Sequence, residues 1–175
     1  MSNNIICNDI VFDKLFKSIE KFKRSIISRN VQITEMENQD STGVWHEDSW
    51  AKGGDSYIVY DGLGHMAAQI TPKGYKDFKW FTEVQSINEN FIKQKVDSMS
   101  LADLKAAVVE FSSSYAYVAN YIIDDTANVV THKRITSSIP SIWGTDVKRA
   151  FTFSGDTLIL KILNGNRRLK WVRQK

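Results

Sequence analysis

Residues 114–153 read SYAYVANYIIDDTANVVTHKRITSSIPSIWGTDVKRAFTF, and the alternation within this stretch decides the fold. Apolar and polar side chains exchange places at a period of two over Tyr115–Asp124, Asn128–Thr136 and Val147–Ser154, the pattern of strands with one buried face. Between the first two, Asp124, Asp125 and Asn128 supply the chemistry of a tight reversal. His132, Arg134 and Arg149 stand in strand patterns otherwise built from Val, Ile and Phe. A strand that turns an imidazole or guanidinium inward needs a partner or a ligand there. An antiparallel sheet curved around something meets both demands.

Outward from this stretch the pattern continues. Thr157–Leu163 and Arg167–Arg173 read as two more strands, set off by Ser154-Gly155-Asp156 and by Asn164-Gly165-Asn166, the latter an Asn-Gly hairpin signal. Upstream, DSYIVYDGLGHMAAQIT (55–71) is a hairpin, with strands near Ser56–Tyr60 and His65–Thr71 and with Gly62 and Gly64 supplying positive φ at the reversal. Its Gly-x-Gly is a turn signal and opens no dinucleotide-binding helix. Residues 72–99 form an aromatic-rich excursion placed to cover a barrel mouth, with a short helix around Val84–Lys95. Ser100 caps a helix over SLADLKAAVVEFSSS, whose apolar side is Leu101, Leu104, Val108 and Phe111. Consecutive hairpins make a meander, and a meander of this size usually closes to remove its edges.

The remainder is less regular. Asn30–Gly54 is polar and turn-rich, which predicts a linker followed by a short strand near Val44–Trp50. Of His46, Glu47 and Asp48, only His46 and Asp48 share a side of that strand, so a surface location is preferred to a metal site. Residues 8–29 space Ile10, Val11, Leu15, Phe16, Ile19, Phe22, Ile26 and Ile27 as the stripe of an amphipathic α-helix, with Lys and Arg over the other faces. Packing of that stripe on the domain or on a dimer mate is the plainer reading. Docking on a membrane or protein partner is the alternative.

At 175 residues the chain suits one globular domain, large enough to bury about 70% of the surface its unfolded form exposes. A net charge of +3 with 25% charged residues falls short of a nucleic-acid-binding footprint, and the basic C-terminal NGNRRLKWVRQK alternates like an ordinary strand. Cys7 is the only cysteine, so an intramolecular disulfide is excluded and the reducing cytosol is the default compartment. Neither a secretory signal nor an apolar run of about 20 residues is present. Nucleophile elbows, zinc signatures, phosphate loops and paired-carboxylate motifs are likewise missing. No cofactor or metal is expected.

The runs YIVYDGLGHMAAQI, YAYVANYIIDDTANVVTHKRI, SSIPSIWGTDVKRAFTF, GDTLIL and RRLKWVR, in this order, resemble the lipocalin-like domain family of small, mostly microbial and fungal proteins. Val-Thr-His followed by Pro-x-x-Trp-Gly-Thr-Asp and an Arg-bearing strand carries most of the resemblance, which spans Ser56–Arg173. It implies a mainly β chain: a closed or nearly closed antiparallel lipocalin-like β-barrel with an internal pocket for an apolar or amphipathic small molecule. Ala119 stands where the family pattern has glycine, and Gly43-Val44-Trp45 at best represents the opening strand. With the residues read above, the expected organisation is an N-terminal amphipathic helix and linker over 1–42, and over 43–175 a barrel domain with one internal helix.

Within that barrel, His132 and Arg134 share a face with Val130, and Arg149 shares one with Phe151 and Phe153. Arg149 is a candidate to bind a carboxylate, phosphate or enolate oxygen bidentately. Pairing with Asp146 at the rim is its plainer role. His132 is the candidate for proton transfer, although a lone histidine is more often structural. Tyr60, Tyr117, Tyr121, Trp143 and Trp171 would furnish apolar walls with a few donors, and would serve equally well as core. The favoured function is binding of a small amphipathic molecule. An isomerase or cyclase using His132, and an interaction module docking through residues 8–29, are the alternatives.

Overall fold

The computed structural model describes residues 31–77 and 83–173. Among these, nine strands form one antiparallel sheet: β1 (Val31–Gln39), β2 (Trp45–Glu47), β3 (Tyr57–Tyr60), β4 (His65–Ile70), β5 (Tyr115–Asp124), β6 (Val129–Ser137), β7 (Asp146–Ser154), β8 (Thr157–Ile162) and β9 (Arg167–Arg173). From β3 to β9 each strand pairs with the next. β1 pairs with β3 on one side and β9 on the other, so these eight strands close into a barrel, while β2 is an extra strand against the far end of β1. Closure leaves the main staves without a free edge.

The hairpins are made by the expected turn chemistry. Between β3 and β4, Gly62 and Gly64 adopt φ of 77° and 109°, and Asp61 accepts the amides of Leu63 and His65 at 2.7 and 2.9 Å. Between β5 and β6, Asn128 takes the left-handed conformation at φ 52°, which asparagine tolerates. Alternation along the staves then turns Val31, Ile33, Ile58, Met66, Ala68, Ala119, Val130, Phe151, Leu158 and Leu160 into one buried core.

The barrel is clasped where β1 meets β9. Glu37 holds Arg168 through two oxygens at 2.5 and 3.1 Å, Lys170 reaches the same carboxylate, and the Arg168 guanidinium lies 4.1 Å from the centre of the Trp45 ring. Bidentate geometry and partial burial give such a pair more weight than an exposed one.

Some features depart from the sequence-based expectation and others meet it. β1 falls inside residues 1–42, where polar composition predicts a linker. Its inward residues Val31, Ile33 and Met36 lose phase because a register shift between Ile33 and Glu35 inserts one residue, as a bulge does. The strand expected near Val44–Trp50 is the short β2, followed by a 3₁₀ turn at Ser49–Ala51 that Asp48 caps by accepting the Trp50 amide. Before β5 the short helix expected around Val84–Lys95 is divided in two, α1 (Glu83–Ser86) and α2 (Glu89–Asp97), and the helix expected from Ser100 is α3 (Leu101–Ser113). Ser100 caps α3 as expected, accepting from the Asp103 amide at 3.1 Å. That helix, however, buries Ala107 and leaves Leu101, Val108 and Phe111 exposed. The amphipathic helix expected over residues 8–29 falls outside the described residues. Among those described, no helix is long and apolar enough to cross a membrane.

Candidate functional site

The barrel interior is hollow toward one end. At that end, where β1, β4, β6 and β8 finish and β5, β7 and β9 begin, a cavity of about 370 Å³ is lined by the apolar Met36, Ile70, Val147, Ile162 and Leu169 together with Arg134, Arg149 and Arg167. Its volume lies within the range of about 300–1,000 Å³ usual for small-molecule sites. Trp50, Ile139 and the end of α3 form the rim, and the Trp50 indole ties rim to helix by donating to the Ser113 carbonyl at 3.0 Å.

Among the described residues, no carboxylate lines this cavity. Arg167 lies 3.4 Å from Asp48, which is not a lining residue, and Arg134 donates through Nε to the Thr145 carbonyl at 3.3 Å. Arg149 differs from both. It is only 7% exposed, and its Nη1 is buried without a hydrogen-bond partner. Asp146, its expected rim partner, is exposed on the same strand and makes no ion pair with it among the described residues. A guanidinium nitrogen buried without a partner is costly.

Beneath Arg149 runs a chain of polar rings. Tyr117 Oη lies 2.8 Å from Nδ1 of His132, and Tyr60 Oη lies 2.8 Å from its Nε2. Tyr121 stands edge-on to Tyr60 at 5.0 Å between centroids. His132 is fully buried. Burial, helped by the positive charges of Arg149 and Arg134, lowers its pKa to about 3, so the imidazole is neutral with one nitrogen donating and the other accepting. Burial pushes the Tyr117 hydroxyl up to about 12 against the opposing pull of Arg149, and burial likewise raises Tyr60. Both tyrosines are therefore protonated donors at neutral pH.

The structure thus brings Arg134 and Arg149 to the cavity wall and sets Tyr117, His132 and Tyr60 in line below it. Trp171 is 1% exposed within the core, and Tyr121 sits half-buried toward the β3–β4 turn, where its amide donates to Gly64. Trp143 is not a cavity residue. The 3₁₀ turn at Pro140–Ile142 swings it outside, 54% exposed, with its indole donating to the Ser137 carbonyl at 2.7 Å. Sequence reasoning passed over Met36, Trp50 and Leu169. Only the aromatic character of Trp50 in a polar segment signalled it.

His46 and Asp48 do not converge either: His46 lies 2.6 Å from Asp40, whereas Asp48 accepts from Asn38. Among the described residues, no group of three His, Cys, Asp or Glu side chains is arranged to hold a metal ion.

A family model described as a lipocalin-like domain matches residues 30–172. No curated protein and no solved structure gives a significant match.

Proposed function

The chain belongs to the lipocalin-like domain family, and from that premise we propose that it binds a small amphipathic molecule in the cavity at the hollow end of the barrel. One observation carries the reading: a cavity of about 370 Å³ is lined by apolar side chains interleaved with three arginines and, among the described residues, by no carboxylate. Such a mixed lining suits a ligand with both apolar and polar parts. Tyr60, Tyr117, Tyr121 and Trp171 lie outside this lining, among the described residues of the barrel interior.

Proton transfer by His132 is the weaker reading. A base held near pKa 3 and enclosed by two tyrosine hydroxyls has little proton affinity near neutral pH. The role that suits it better is structural support for Tyr117.

Binding of the uncharged probe N-phenyl-1-naphthylamine, followed by fluorescence, tests the proposal. Saturable binding that Val147→Phe and Ile162→Trp abolish, with the fold retained by circular dichroism, is the expected outcome. Unchanged binding in both folded variants would place the probe elsewhere and overturn it.

A further inference from the structure

The outer wall of the barrel is of two kinds. Over β8, β9 and β1 it is charged: Lys161, Arg168 and Lys170 stand with Glu35 and Glu37, and Arg168 and Lys170 form ion pairs with these acids. Over β3 to β6 the ladder sets Val59 beside Ala67, Ala67 beside Val118 and Val118 beside Thr136, a row across four strands without a charge. The register shift next to the last pair leaves Ile135 without a ladder partner beside Thr136. Val118 is 44% and Ile135 54% exposed, whereas Tyr117 and Ala119, on either side of Val118, are buried. Outward positions on an antiparallel sheet that faces water are ordinarily polar. A contiguous exposed apolar patch marks a contact surface.

We propose that this row seats the chain's own N-terminal segment, residues 8–29, packed on it as an amphipathic helix. The first 30 residues join the barrel at Val31, which pairs with Ile58, the neighbour of Val59. The segment therefore enters at the β3 end of the row. Leu15, Ile19, Phe22 and Ile26 recur at i, i+4, i+7 and i+11, on one face of a helix. At 1.5 Å per residue they span about 16 Å, and three strand gaps of about 4.8 Å make the row about 14 Å wide. The chain from Ile26 to Val31 reaches up to about 17 Å, enough to carry it from β1 over β3. Ile26 then lies over Val59, Phe22 over Ala67, Ile19 over Val118 and Leu15 over Ile135. Lys14, Lys17, Lys21 and Arg24 fall on the opposite face of the helix, toward water. A second copy of the chain brings no such match of entry point and length.

Cross-linking in the full chain tests the assignment. With the native thiol removed by Cys7→Ser, two pairs are compared: Ile19→Cys with Val118→Cys, and Ile19→Cys with Ile159→Cys on the charged half of the wall. A short bismaleimide should join the first pair within one chain, read by mass spectrometry on the monomer fraction, and leave the second unjoined. Equal yields for the two pairs, or no product from the first, would overturn the proposal. So would a product found only between two chains, which would assign the row to a second copy.

Urea denaturation supplies an independent readout. Val118→Lys and Ile19→Lys should each lower the folding constant about tenfold, as loss of part of an apolar contact does. Together they should lower it by less than the product of the single effects. A Val118→Lys chain as stable as its parent, or effects that simply multiply, would also overturn the docking.

Discussion

Nε2 of His132 and the hydroxyl of Tyr60 meet at 2.8 Å although 72 residues separate them in the chain. That contact joins β3 to β6 across the interior of the barrel. With the Tyr117 contact on Nδ1, it satisfies both nitrogens of a fully buried ring.

Removal of either hydroxyl should leave one imidazole nitrogen buried without a partner. Tyr60→Phe and Tyr117→Phe are each expected to cost about 1–3 kcal/mol in urea denaturation. The pair should cost less than the sum, because the second change removes a bond from a ring already unsatisfied.

The pH dependence of stability follows from the same ring. Folded His132 has its pKa lowered to about 3 by burial and by Arg149 and Arg134, against about 6.5 in the unfolded chain. Below pH 6.5 the unfolded state therefore binds a proton that the folded state refuses. Stability from this group is fully present above that pH and is lost as pH falls toward 3, at up to about 1.4 kcal/mol per unit. His132→Phe, whatever its stability at pH 7, should flatten the denaturation profile between pH 6.5 and 4. Carbon NMR should find no His132 titration between pH 5 and 8.

The Arg149 Nη1, buried without a hydrogen-bond partner, should be a liability without ligand. Arg149→Met keeps a long side chain and discards the charge. Its ligand-free form is expected to gain about 1–3 kcal/mol, read as a higher thermal midpoint. A lower midpoint would mean that the empty site is already compensated.

Gly54 has no room for a side chain. A Cβ there would lie 1.8 Å from the Thr71 carbonyl oxygen, beside the hydrogen bond from Thr71 Oγ1 to the Asp55 carbonyl. Gly54→Ala should prise β3 from the end of β4 and cost more than about 2 kcal/mol by chemical denaturation.

Glu37 is held below the ordinary carboxylate range chiefly by its hydrogen bond from Arg168, despite burial acting against it. Its contribution is present above that range and lost as pH falls through the lowered value. Glu37→Gln should cost about 1 kcal/mol at pH 7 and nothing measurable in acid, where the native carboxyl is protonated as well.

The strands β3 to β9 were legible because their inward residues keep phase and their turns carry Gly, Asp and Asn. Tyr115–Asp124 and Arg167–Arg173 have the bounds their alternation predicts. β1 was not, since the inserted residue after Ile33 throws Met36 out of step and its outward positions, Gln32, Glu35 and Glu37, resemble loop composition. The inward orientation of His132, Arg134 and Arg149 could be read from alternation alone. Their surroundings could not: Tyr60 and Tyr117 reach His132 through the barrel interior, and no spacing in a chain encodes a distance across a closed sheet. Trp143 shows the converse. Its residue type suited a cavity wall, but a preceding proline turn, which period-two reasoning does not describe, decided its direction.

The pairing of β1 with β9 has a consequence for how the molecule is made. Glu37 and Arg168 are 131 residues apart, so the cylinder stays an open sheet on the ribosome until its final stave emerges. Such distant pairing is slow to form. Until then the β1 edge that β9 will occupy is exposed to other nascent chains, because β2 and β3 pair with its opposite edge.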